Sequence, residues 1–404
     1  MIRVAYFCEP QVGGTFRFFT RTRALFREQD IDFVCMPPMD GRKLRPHPLA
    51  REQGVQLLNL ASKPAEATRQ IIEELELQRI QAIMILPGCD SLSTNLPCYL
   101  PPNIRCLARL PLMTEGVYRP VRILAPWIDR MVAVSPRIKD DLLDREVPME
   151  KINMIPNGIA LSLLKSSSAL RMQDSVFRLL YVGRLEEMQK NVLLLPKILC
   201  GALNRGLMAD LVVVGDGPDR KRLEYAFHQA GLDDRVHFRG AIPPDDMPEY
   251  YQHAHCLIFP SRYEGSPNAM LEAMSEGCVP VATHIRGLTD HIIEDGTSGV
   301  LVPMGAAEAF SKAVYNLGLD RQHWGKMSEL AQQRIYKNFS LKSTTSAYAD
   351  VIREVFQSPD KRAERLSLDR YTPPCSLHAG WRALIPPAIK GAIRQWLEKH
   401  SRSI

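Results

Sequence analysis

Phe259–Gly277 reads FPSRYEGSPNAMLEAMSEG, and the order of its residues spells a strand end, a loop and a helix. The apolar run His255-Cys-Leu-Ile-Phe259 before the loop has the length and composition of a buried strand end. Pro260 and Ser261 release the chain into a loop that carries Glu264 and Gly265. Ser266 suits an N-cap, and Pro267 suits the first helical position because its missing N–H would be unpaired there anyway. Gly277 suits a left-handed stop, so a helix over Pro267–Glu276 is predicted. Met270, Ala273 and Met274 then share one face, while Asn268 and Glu272 lie one turn apart on another. Two carboxylates, Glu264 and Glu272, thus stand near the unpaired N–H groups of a helix start, which favour an anion such as a phosphate. On spacing alone, an ordinary strand, loop and helix with solvated glutamates fits equally well.

The segment resembles the E-x7-E signature of retaining glycosyltransferases of family 4 (glycosyl transferases group 1), with Glu264 and Glu272 as its acidic positions. The continuation VPVATHIRGLTDHIIEDGTSGVLVP, Val279–Pro303, is similar to that family's as well. The likeness is strong over Leu179–Val302 and thin in the first half of the chain.

A chain of 404 residues exceeds one typical domain and fits two. No apolar run is long enough for a membrane span. A strand, Ile2–Phe7, is predicted directly after Met1, so no secretory signal is expected, and the protein reads as cytoplasmic. Nine cysteines are scattered without a C-x-x-C pair, which argues against a structural zinc site or a disulfide framework. The formal charge of +6 is small and weighted to the end of the chain, which gives no reason to expect nucleic-acid binding.

Strand-like runs at Ile2–Phe7, Phe33–Met36 and Ala82–Leu86 alternate with helical patterns at Phe19–Gln29 and Ala65–Leu77, a parallel α/β arrangement. After the first strand, Gln11-Val-Gly-Gly14 offers glycines that let the backbone approach a ligand, or form a simple turn. The resemblance makes Gly13 and Gly14 candidates for contact with the donor. It also implies a histidine after Ile104–Leu110, where this chain has Pro111; Arg109, Thr114 and Glu115 are the substitutes within reach in sequence. Met131–Ser135 reads as the last strand of the first domain. Ile155-Pro-Asn-Gly-Ile159 reads as a turn at the junction, and Ser166–Ser168 opens the linker.

The second domain opens with a strand at Arg178–Val182, followed by Gly183, Arg184 and Lys190. Two cations beyond a strand's carboxyl end can neutralise a diphosphate, the Arg as a planar fork and the Lys as a point charge. Alone they are two exposed basic residues; the resemblance assigns them to phosphate binding. A strand at Leu211–Val214, a turn at Gly215–Pro218 and a helix at Asp219–Ala230 follow. The strand Val236–Phe238 and Arg239-Gly-Ala241 come next and resemble the segment that receives the nucleotide base. His284 and His291 lack metal-ligand spacing. Helices at Glu308–Leu317, Arg321–Lys337 and Ser343–Phe356 are expected to close this domain.

The resemblance implies the GT-B architecture, two Rossmann-like domains facing each other across a cleft, here 1–165 and 166–358 with a tail at 359–404. It implies retaining, metal-independent transfer of a sugar from a nucleotide-diphosphate donor to a glycan or lipid-linked acceptor, with no cofactor beyond that substrate. Glu264, Arg184 and Lys190 would be catalytic; Gly13, Gly14, Gly183, Gly265, Ser266, Asn268, Ala269 and Glu272 would bind the donor. Another GT-B enzyme, such as an epimerase or phosphorylase, and a catalytically silent sugar-nucleotide-binding subunit are the alternatives. In the tail, Ile389, Ala392, Ile393, Trp396 and Leu397 form one apolar helical stripe, with Lys390, Arg394 and Lys399 elsewhere on the helix. Such a stripe docks on the protein itself or lies peripherally on an anionic membrane.

Overall fold

The computed structural model describes residues 1–10, 14–39, 50, 54–61, 63–88, 92–161 and 171–375. They form two compact units, one of Met1–Asn157 with the chain from Leu341 onward, the other of Gly158–Ser340.

In the first unit the strands are β1 (Ile2–Phe7), β2 (Ile31–Cys35), the short pair β3 (Pro38–Met39) and β4 (Leu58–Asn59), β5 (Ala82–Ile85), β6 (Arg105–Leu110), β7 (Arg130–Ala133) and β8 (Ile152–Met154). Six of them make one parallel sheet in the order β2-β1-β5-β6-β7-β8. Both faces are covered, so the strands read as near-continuous apolar runs. Ala5, Ile83, Ala108 and Ala133 enter the core on one face, and Val4, Tyr6, Met84 and Val132 enter that on the other. The strand expected at Met131–Ser135 ends at Ala133 and is not the last of its sheet, because Ile152–Met154 pairs beyond it.

The helix expected to close the second domain packs in the first. Leu341–Gln357 buries Tyr348, Ala349, Val351 and Ile352 among Phe18, Phe33 and Val4, and its Tyr348 ring lies 5.1 Å from that of Phe18. Its apolar stripe determines that it is a helix, but any apolar sheet face satisfies such a stripe. The expected boundaries at 165 and 358 move accordingly, and the expected linker at Ser166–Ser168 lies outside the described residues.

Beyond that helix the chain runs without regular structure along the same unit as far as Cys375. Ala363 donates to the carbonyl of Pro126 and Leu366 to that of Cys98, while the Trp127 indole donates to the carbonyl of Glu364 at 2.9 Å. The side chain of Asn95 bonds both the N–H and the carbonyl of Cys375. Asp360 and Arg362 of this segment join the buried Arg105 and Asp129 in a charge cluster, with Arg105 3.0 Å from Asp129 and 3.1 Å from Asp360.

The second unit is a sheet of β9 (Phe177–Val182), β10 (Ala209–Val214), β11 (Val236–Gly240), β12 (Cys256–Phe259), β13 (Val279–Thr283) and β14 (Val300–Val302). All are parallel, in the order β11-β10-β9-β12-β13-β14. From β9 the chain builds outward to β11, then returns to place β12 on the other side of β9. Chain direction across the sheet reverses between β9 and β12, and the carboxyl ends of strands at such a reversal are the position at which open α/β sheets bind ligands.

Candidate functional site

The loops that follow β9 and β12 carry the residues singled out from sequence. Gly183 leaves β9, and a Cβ on Gly215 would fall 1.9 Å from the Gly183 carbonyl oxygen, so these two strand ends meet only because residue 215 has no side chain. Arg184 follows, its guanidinium largely exposed and 3.6 Å from Glu186. Lys190 ends a single helical turn, Glu187–Lys190, and its Cε lies 3.8 Å from where a Cβ on Gly183 would stand.

Seventy-odd residues later in the chain, the β12 loop brings Glu264 against that lysine. Lys190 Nζ donates to Glu264 Oε1 at 2.5 Å, with side-chain exposures of 17% and 7%. Gln189 Nε2 lies 3.4 Å from the other carboxylate oxygen. A buried pair of this kind is held by its mutual compensation, since removing one partner strands the other charge at a cost of about 3–5 kcal/mol. Lys190 is therefore paired with Glu264, while Arg184 presents its charge to solvent.

Past Gly265 and Ser266 the helix runs over Asn268–Ser275, one residue shorter at each end than predicted. Pro267 holds the N-cap position and no side chain caps the turn, so the Ser266 cap is not formed; instead the Ser266 carbonyl accepts from the N–H of Asn268 at 3.0 Å. Pro267 imposes this, because it has no N–H of its own and restricts the residue before it to extended backbone. The buried face is the expected one, with Met270, Ala273 and Met274 fully covered. Gly277 terminates the helix at φ +73°. Ala269 sits on the first turn, and Glu272 on the second accepts from the Tyr251 hydroxyl at 3.2 Å.

Gly183, Arg184, Lys190, Glu264, Gly265, Ser266, Asn268, Ala269 and Glu272 are thus gathered on one unit at the crossover of its sheet. Gly14 opens the helix Gly14–Arg27 beyond β1 in the other unit, and Gly13 lies outside the described residues. Of the substitutes for a histidine, Arg109 is excluded by its surroundings. It is 1% exposed, its Nε donates to the Tyr348 hydroxyl at 3.1 Å and its Nη2 to Asn157 at 2.7 Å, and it stacks on Phe18. Glu115 pairs with Arg145, and Thr114 starts the helix Glu115–Leu124. The chain's D-x-D triplet, Asp30-Ile-Asp32, a pattern that can hold a metal ion, lies where β2 begins, at the amino edge of its sheet, and its Asp32 pairs with Arg3 at 2.9 Å. His284 lies beside Asp290, and His291 stands edge-on to the Phe339 ring.

Sequence reasoning did not find Tyr251 or Arg262. Both act on candidate residues from the side, and nothing in their local pattern distinguishes them from an apolar helix position and an exposed loop base.

Residues 176–320 match the family described as glycosyl transferases group 1. The matched residues all lie within the second unit. Alpha-D-kanosaminyltransferase of Streptomyces kanamyceticus is 31% identical over 44% of this chain and 45% of its own length. The lipopolysaccharide 1,6-galactosyltransferase of Salmonella typhimurium is 28% identical over 46% of this chain and 51% of its own. The chain spans about half the length of these curated relatives. Among solved structures, Anabaena HepE, crystallised in complex with UDP and glucose, superposes with a TM-score of 0.70 at 15% identity, over 88% of this chain and 100% of its own. That likeness is one of fold, the two Rossmann-like units of the GT-B class. The group 1 domain contains all the candidate residues of the β9 and β12 loops.

Proposed function

We propose that the protein is a retaining glycosyltransferase that moves a sugar from a nucleotide-diphosphate donor to a glycan or lipid-linked acceptor without a metal ion. The observation that carries this reading is the meeting of Lys190 and Glu264, from loops on neighbouring strands, beside the start of the helix that bears Glu272. In the proposed reaction, the diphosphate lies against Arg184, Lys190 and the first N–H groups of that helix. Its charge grows as the sugar leaves, and these fixed donors stabilise it where it grows. Glu264, released from Lys190 as the phosphate takes over that cation, faces the sugar and stabilises positive charge at the anomeric carbon. Glu272 accepts from ribose hydroxyls, oriented by Tyr251. The E-x7-E resemblance supports retention, and front-side attack assisted by the leaving phosphate is the route in keeping with it.

Release of nucleoside diphosphate from a panel of UDP- and GDP-sugars, with UDP-glucose first, tests the reading. Slow release without acceptor is expected, unchanged by EDTA. Loss of activity in EDTA that manganese or magnesium restores would overturn metal independence. A second reading, a silent sugar-nucleotide-binding subunit, is favoured by Pro111 in place of a histidine and by the sequestration of Arg109. It is the conclusion if the nucleotide binds and no donor is turned over.

A further inference from the structure

Lys190 stands at the end of a helix only one turn long, Glu187–Lys190. A single turn does not hold itself together in water, since forming the first turn is the costly step and its last carbonyls have no partners within it. Arg262, two residues before Glu264, supplies them. Its guanidinium donates at 3.3 Å to the carbonyl of Met188 and its main-chain N–H to that of Gln189 at 2.8 Å, and the guanidinium adds a second donor to the carbonyl of Glu187, which also accepts from the N–H of Asn191. The same fork pairs with the Glu187 carboxylate at 2.8 Å and with Asn191 Oδ1 at 2.5 Å. Asn191, directly after Lys190, ends the turn in left-handed backbone at φ +53° and is only 4% exposed, a helix stop that asparagine adopts readily. Glu187 is itself fixed, its N–H donating to Asp219 and its carboxylate accepting from the N–H of Leu193.

We infer that Arg262 is a positioning residue that caps the Lys190 turn from the neighbouring loop. It thereby fixes the lysine at one point relative to Glu264. Only a planar fork fits this role, because the acceptors lie on both ends of the turn and a lysine ammonium is a single point. Arg262 touches neither donor nor sugar in this account; it acts through Lys190. The inference rests on the transfer reading for its catalytic consequence, but its structural part stands without it.

The test uses the full chain carrying Arg262→Met and, as the milder change, Arg262→Lys. In the absence of any donor, hydrogen exchange of the amides at 190–194 should quicken in both at an unchanged melting temperature; unchanged exchange overturns the brace. With the donor found active, each should lower kcat/KM about tenfold to a hundredfold. In a Lys190→Gln background the same substitutions should cost no more than about threefold, because the cation they position is gone. Equal losses in both backgrounds would mean a purely structural role and would overturn the inference. If wild-type protein turns over no sugar nucleotide, the transfer reading falls, and the exchange measurement still decides the brace.

Discussion

Glu264 and Glu272 are eight positions apart in sequence and differ entirely in their surroundings. Glu264 is buried against Lys190, while Glu272 is half-buried within reach of Tyr251. Glu272→Ala should therefore weaken nucleoside diphosphate binding by about 1.5–3 kcal/mol, the worth of hydrogen bonds to a charged group, and calorimetry will read it. Glu264→Gln should leave that affinity within a few-fold and lower turnover by about a hundredfold or more; the reverse pattern would exchange the two roles. His255 makes a different prediction. It is fully buried, its Nδ1 accepts from the N–H of Arg178 and its Nε2 faces the carbonyl of Arg171 at 2.8 Å, and burial pushes its pKa down to about 3. The unfolded chain thus binds a proton there that the folded chain refuses, and the stability this contributes is present above pH ~6.5 and lost as pH falls. Between pH ~6.5 and ~5, above the carboxylate range, the urea midpoint should fall. His255→Gln should flatten the slope by up to about 1.4 kcal/mol per pH unit, whatever its own cost in stability.

Among the elements, the segment from Ser358 to Cys375 illustrates how an extended stretch can be held without secondary structure. Its backbone groups find partners on Cys98, Pro126 and Asn95, and its Asp360 and Arg362 join the cluster of Arg105 and Asp129. Asp129 is the buried carboxylate of that cluster, next to both Arg105 and Arg362. Asp129→Ala leaves the more exposed Asp360 as the remaining counter-charge of both arginines and should cost about 1.5–3 kcal/mol, the worth of hydrogen bonds to a charged group. Urea unfolding measures this, and a loss below about 1 kcal/mol would place the cluster with exposed ion pairs. The pattern of charged and polar residues gave no hint of this docking, because each partner lies more than two hundred residues away in sequence.

For the molecule as a whole, no helix among the described residues is long and apolar enough to cross a membrane. Residues 376–404 lie outside the description, and their reading stays with the sequence: an apolar stripe with Lys390, Arg394 and Lys399 off it. Such a stripe with basic flanks gains about 1 kcal/mol per basic residue near an anionic surface. We expect deletion of Ser376–Ile404 to reduce sedimentation with phosphatidylserine-containing liposomes at low salt while leaving nucleotide affinity intact. Full-length protein that does not sediment would favour docking of the stripe on protein.

The sequence by itself determined the elements around the site and the residue types within it. The Phe259–Gly277 stretch has its strand, loop, helix and glycine stop within a residue of their predicted places, because periodicity, proline and the glycine stop act over a few neighbours. It also determined that two parallel α/β units exist, since alternating apolar runs and amphipathic stripes have few other solutions. Only the tertiary structure decided which sheet Leu341–Gln357 covers, that Arg109 is locked beneath Tyr348 and Asn157, and that Lys190 and Glu264 neutralise each other. These depend on surfaces brought together from distant parts of the chain, where an apolar stripe or a charge specifies a kind of partner and the packing selects the one.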